Sequence, residues 1–166
     1  MANRSKMTET LTAAALWQFS VAFYPEVKSV CLQWQDELGA NVNLLLMLCY
    51  LERQQLSIGR QQLQQLHAEL EGFSARFTRP LRQLRRSVSE SGLDAAMQQQ
   101  LKQTLLASEL ELERLEQQLL LQHCPALAVN PVQVLELYLQ LLNADASADA
   151  AMGQLIDLRQ ALVKLS

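Results

Sequence analysis

The sequence predicts an all-α protein, a single-domain irregular or orthogonal bundle of about seven helices. Three observations lead there. Leu and Gln, both good helix formers, dominate the composition, while sheet-favouring Val, Ile, Thr and Tyr are sparse. Apolar residues recur at steps of three and four along most of the chain. The 5 glycines and 4 prolines are few and mostly fall between the periodic segments. At 166 residues the chain can bury roughly two-thirds of the surface its unfolded form exposes, so a core needs no disulfide or metal.

Residues 1–10 read as a flexible polar tail and 11–166 as one helical domain. "LTAAALWQFSVAFY" places Leu16, Phe19, Val21 and Phe23 densely enough for a buried helix, and Pro25 is expected to stop it. A second helix, "PEVKSVCLQWQDEL", then starts at Pro25 with a stripe of Val27, Val30, Cys31, Trp34 and Leu38. Gly39 ends it, and Asn41 is an N-cap for the next segment, whose side chain can accept from amides of the first turn. From Leu44 to Leu51 that segment is apolar on every side, which predicts a central helix packed all round. Ser57 is expected to cap a helix with the stripe Leu63, Leu66, Leu70, Phe73 and Phe77. A break at Pro80 opens a short helix with Leu81, Leu84 and Val88 inward, and a linker lies near 88–93. A long helix follows from about Leu93 to Gln122. Its expected inward stripe is Leu101, Leu105, Leu112, Leu115 and Leu119, widened by Leu106, Leu110, Leu120 and Leu121. Pro131 opens a further apolar helix, and an Asp or Ser of "NADASADAA" caps the last one.

The net charge of −3 gives no bulk field favouring nucleic acid or anionic lipid. No run approaches the roughly 18 apolar residues of a membrane span. Cys31, Cys49 and Cys124 lack the paired spacing of a zinc site, and His67 and His123 are isolated. Free thiols in apolar helices suit a reducing cytoplasm. No phosphate-binding glycine loop, no His-Glu-x-x-His and no Glu-x-x-His pair is present. The expectation is therefore no catalytic residue, no cofactor and no metal.

Two groups of residues stand out. Arg76, Arg79, Arg82, Arg85 and Arg86 put five guanidiniums within eleven residues with no acid among them. Guanidinium forks suit phosphate or carboxylate, so this is a candidate face for an anion or a partner. The bland reading is internal pairing with Glu109, Glu111, Glu113 and Glu116 of the long helix. Aromatic interleaving of the kind that favours single-stranded RNA is missing. Asp36, Asn41 and Asn43 form a candidate polar junction, either a pocket or a cap plus one satisfied buried acid.

Trp17, Phe19, Tyr24, Val27, Cys31, Leu32, Gln35, Asp36, Val42, Asn43, Leu44, Leu45 and Leu46, followed by "RPLRQLRR" at 79–86, resemble the motifs of an uncharacterised bacterial family of unknown function. The resemblance covers roughly 13–125. It implies a cytosolic helical protein with no assigned activity. It also suggests that Asp36 and Asn43 meet an Arg from the later motif, Arg82 or Arg85.

The functional expectation is a non-enzymatic cytoplasmic interaction or regulatory protein that binds a protein partner through a helical face. The alternatives are an RNA- or nucleotide-phosphate-binding accessory protein using Arg76–Arg86, and a small-molecule binder or enzyme at Asp36, Asn41 and Asn43. No membrane association is expected, nucleic acid is not the favoured partner, and a homodimer stays open.

Overall fold

The computed structural model describes residues 11–129, 133–145 and 148–165. The expected tail over 1–10 and the helix start at Pro131 lie outside them. The protein is all-helical, and among the described residues the sole extended pairing is an isolated bridge between Ser57 and Ala128. The α-helices are α1 (Ala13–Gln33), α2 (Val42–Arg53), α3 (Arg60–Phe73), α4 (Arg79–Arg86), α5 (Ala95–Gln122), α6 (Val134–Leu141) and α7 (Asp149–Lys164). A π-helical turn, Trp34–Leu38, extends α1, and another, Ser74–Thr78, joins α3 to α4 without interruption. The described residues thus form six continuous rods.

The count falls below about seven because neither proline acts as a break. Pro25 lies inside α1. Its missing amide frees the carbonyl of Val21, but both residues are exposed, so water replaces the lost partner. Pro80 follows the π turn, whose widened hydrogen-bonding pattern absorbs the missing donor. The same turn adds a residue to the helical repeat and rotates the buried face. Leu63, Leu66 and Leu70 are buried as expected, but beyond the turn Ser74 and Thr78 face inward while Phe77 and Leu84 are exposed.

Of the four caps the sequence implies, Gly39 and Asn41 form, whereas Ser57 and an Asp or Ser before the last helix do not. Gly39 takes the left-handed conformation, φ 74°, that ends the first rod. Asn41 Oδ1 accepts from the Leu44 amide at 3.1 Å. Asp94 caps α5. Ser57 instead pairs with Ala128, and Gly59 takes the N-cap of α3. The last helix has Ala148 at its N-cap with no side-chain bond.

α2 is the centre of the molecule. Every residue from Asn43 to Leu51 is buried. α1, α3, α5, α6 and α7 all pack on it. Polar ties fix its ends. The Asn41 amide donates to the Tyr138 hydroxyl at 2.9 Å, and that hydroxyl also meets His67 Nδ1 at 2.9 Å. Arg159 of α7 donates to Glu52 at 2.9 Å and pairs with Glu136. Cys31 and Cys49 sit in the core as free thiols.

α5 departs furthest from expectation. Its buried residues are Glu109, Glu116, Gln117 and Leu120, whereas Leu106, Leu110 and Leu115 are each 44% exposed. Leucines occur on every side of this helix, so their spacing does not select a face. The neighbours do, by offering Asn43, Ser20, Arg82 and Arg85 to its polar side.

Candidate functional site

The buried polar side of α5 forms the floor of an open cleft of about 770 Å³. One wall is the middle of α1, with Val21, Tyr24 and Lys28. The other is α4, with Arg79, Arg82 and Arg86. The N-terminus of α2 closes one end through Asn41 and Asn43. Both candidate groups read from the sequence, Arg76 excepted, therefore line one cleft.

The arginines divide into three kinds. Arg82 Nε and Arg85 Nε donate to the two oxygens of Glu109 at 3.0 and 2.5 Å. Arg82 also lies 3.6 Å from Glu113. Arg79 donates to Glu71 at 2.7 Å. Arg76 lies outside the cleft lining and stacks over Phe77, 5.3 Å from the ring centroid. Arg86 is exposed on the cleft wall, and no ion pair is found for it among the described residues. The bland reading of the cluster thus holds for Arg79, Arg82 and Arg85, although Glu71 takes Arg79 and Glu111 points to solvent.

The polar junction is also rearranged. Asp36 is exposed on the π turn after α1 and lines the cleft, but it is not buried against Asn41 or Asn43 and pairs with neither Arg82 nor Arg85. The physical reason is competition. Glu109 and Glu113 lie directly opposite α4 and take its guanidiniums first. Asn43 is 8% exposed and turns to α5, where its Nδ2 donates to Glu116 Oε2 at 2.6 Å. Gln117 Nε2 completes the network by donating to Ser20 Oγ at 2.9 Å and Asn43 Oδ1 at 3.2 Å.

Two atoms of this floor lack partners. Glu116 Oε1 and Gln117 Oε1 are buried, and each residue is 2% exposed. An unmet buried acceptor costs about 1–3 kcal/mol. The electrostatics match. Burial, reinforced by the neighbouring Glu109 charge and opposed by Arg82, pushes the Glu113 carboxyl up to about 7. Burial raises Glu116 as well, against hydrogen bonds from the Asn43, Ser74 and Asn41 side chains. Burial also opposes ionisation of Glu109, but the hydrogen bonds from Arg85 and Arg82 outweigh it and hold its carboxyl below the ordinary value. Of three acids on one helix, two are raised and one lowered, and perturbed groups of this kind are concentrated at functional sites.

Asn43 and the arginines were legible in the sequence as site residues. Ser20, Lys28, Ser74 and Gln117 were not. Glu109, Glu113 and Glu116 stood out as pairing partners, and their i, i+4, i+7 spacing was the available signal that they share a face. Among the described residues no group of His, Cys, Asp and Glu is arranged to hold a metal ion, and no helix is long and apolar enough to cross a membrane.

No curated protein matches the chain, and no solved structure does. The family model described as protein of unknown function, DUF2390, matches residues 15–120, which takes in all but the first two residues of α1, α2 to α4 and nearly all of α5, and so both walls and the floor of the cleft. The chain therefore belongs to the DUF2390 family of proteins of unknown function.

Proposed function

We propose that this is a non-enzymatic, cytoplasmic interaction or regulatory protein that takes a segment of a protein partner into the cleft between α1 and α4. The observation that carries this reading is the make-up of the rim. Val21, Leu106 and Leu110 are 58%, 44% and 44% exposed. They line the same cleft as Lys28 and Arg86, for which no ion pair is found among the described residues. Exposed aliphatic groups beside unpaired cations suit a segment that carries both apolar and acidic side chains. The low count of aromatics and the engagement of Arg79, Arg82 and Arg85 with acids argue against RNA as the occupant.

A second reading draws support from the cleft volume. About 770 Å³ falls within the range of roughly 300–1,000 Å³ typical of small-molecule sites. One experiment separates the two. Tagged wild type and the surface variants Val21→Glu with Leu110→Glu, and Arg86→Glu, are used to retrieve proteins from native lysate after ribonuclease treatment. Far-UV circular dichroism checks that the variants are folded. A stoichiometric protein that both variants lose supports the partner reading. Equal retrieval by wild type and variants removes the cleft as the partner surface. An empty retrieval by folded wild type moves the reading to a small molecule.

A further inference from the structure

We propose that the cleft floor at Glu113, Glu116 and Gln117 binds a cationic hydrogen-bond donor, an ammonium or guanidinium group. The inference rests on this cleft being a binding site, as the preceding reading does, but not on its occupant being a protein.

The argument is an inventory of donors and acceptors. Asn43 Nδ2 is used on Glu116 Oε2, the buried Ser74 and Asn41 side chains also bear on that carboxylate, and Gln117 Nε2 is divided between Ser20 and Asn43. Arg85 is committed to Glu109, and Arg82 to Glu109 and Glu113. What remains are acceptors, Glu116 Oε1 and Gln117 Oε1, on adjacent residues that are 2% exposed and line the cleft. Glu113, one turn before Gln117, adds a carboxylate held by a single 3.6 Å contact to Arg82. A phosphate or carboxylate entering here meets two acids and the amide oxygen of Gln117. An ammonium or guanidinium has several N–H donors and no acceptor, which is the complement of the site.

Protons should compete with such a ligand. Facing Glu113 are Glu109 and Glu116 from its own helix, Arg82 and Arg85 from α4, and Tyr24 from α1. Glu71 of α3 is already held by Arg79, and α2 contributes the uncharged Asn43. With the Glu113 carboxyl raised to about 7, it is mostly protonated at pH 6 and mostly ionised at pH 8. Cation binding therefore tightens over that interval.

The test uses two guanidinium probes, each with a neutral isostere. One is n-butylguanidinium against n-butylurea. The other is a blocked pentapeptide, leucines around a central arginine, against the same peptide with citrulline. Binding to the full chain is read by calorimetry and by the fluorescence of Trp17, which lines the cleft. The expected result is saturable binding of guanidinium but not ureido probes, tighter at pH 8 than at pH 6, and weakened at least tenfold by Glu116→Gln. Should that variant fail to fold, Glu113→Gln carries the test through loss of the pH dependence. A peptide bound at least tenfold tighter than n-butylguanidinium identifies the group as a side chain of a longer segment, and comparable affinities identify a free small amine. Equal binding of the ureido probes, no saturation at pH 8, or full affinity in folded Glu116→Gln overturns the proposal. None of these outcomes depends on partner retrieval by the rim variants, so either reading can fail alone.

Discussion

Replacing Glu109 by Gln tests whether charge pairing, rather than apolar burial, holds α4 in place. Glu109 is 4% exposed and takes both guanidiniums, Arg82 on Oε1 and Arg85 on Oε2 with a longer bond to Oε1. The amide keeps one acceptor and turns a donor toward the other arginine. The Arg82 and Arg85 side chains are 17% and 29% exposed, so water compensates part of the loss. Breaking a fully buried pair costs about 3–5 kcal/mol and an exposed one about 0–1, which puts Glu109→Gln at about 2–3 kcal/mol. At roughly 2–4 °C per kcal/mol for a domain of this size, the melting temperature falls by about 5–10 °C. Urea unfolding followed by circular dichroism at pH 7 measures the loss. Glu111→Gln on the solvent side of the same helix is the control and should stay within about 0.5 kcal/mol of wild type. If Glu109→Gln is indistinguishable from that control, the pairs contribute nothing and something other than charge holds α4.

Three further outcomes follow from the core and the titrating groups. Leu48→Ala, at a fully buried position of α2, should cost about 2–5 kcal/mol in urea unfolding, because neighbours on all sides of α2 limit collapse into the space. Burial pushes the thiols of Cys31 and Cys124 up to about 12 and about 11 and raises Cys49 well above its ordinary value. Native protein at pH 8 should therefore react with a disulfide reagent far more slowly than urea-unfolded protein, and equal rates would contradict the burial. Between the ordinary 4.5 and about 7, folded Glu113 holds a proton that the unfolded chain has released, so its contribution to stability falls as pH rises through that window. Glu113→Gln should remove most of this fall, gaining stability relative to wild type from pH 5 to pH 8. Glu109, with its lowered value, titrates below that window. A constant difference between wild type and variant across the window would count against the raised carboxyl.

How legible each element was depended on how many environments its sequence admits. α2 has one, because a segment apolar on all sides can only be central, and Gly39 and Asn41 mark its start by backbone and capping rules that act locally. α5 has several. Its leucines line every side, and only the positions of Asn43 on α2, Ser20 on α1 and Arg82 and Arg85 on α4 decide that Glu109, Glu116 and Gln117 turn inward. Those are tertiary facts, beyond any pattern of spacing within one helix. Pro25 and Pro80 illustrate the converse: the local rule that prolines end helices was overridden by a solvent-facing carbonyl in one case and a π turn in the other. The π turn then carried Phe77 out of the face that a strict 3.6-residue repeat assigns it.

The cleft exists because α4 is attached in an unusual way. None of its residues is buried. Its anchors are Thr78 before it, Val88 after it, and the pairs that Arg82 and Arg85 make with α5. An apolar interface would let α4 settle against α1 and close the gap, since burial has no preferred direction. Guanidinium–carboxylate pairs are directional and fix a distance, so they hold the wall on α5 and leave the side toward α1 open. Glu109 takes most of the two guanidiniums, which leaves Glu113 with a single 3.6 Å contact to Arg82, while Glu116, bonded to Asn43, keeps an unmet oxygen. Glu113 is thus shared between the pairs that hold α4 and the floor proposed for a cation, so a ligand that neutralises it also alters the pull on Arg82. The proposed cation site and the placement of α4 therefore meet at Glu113 and its contact with Arg82.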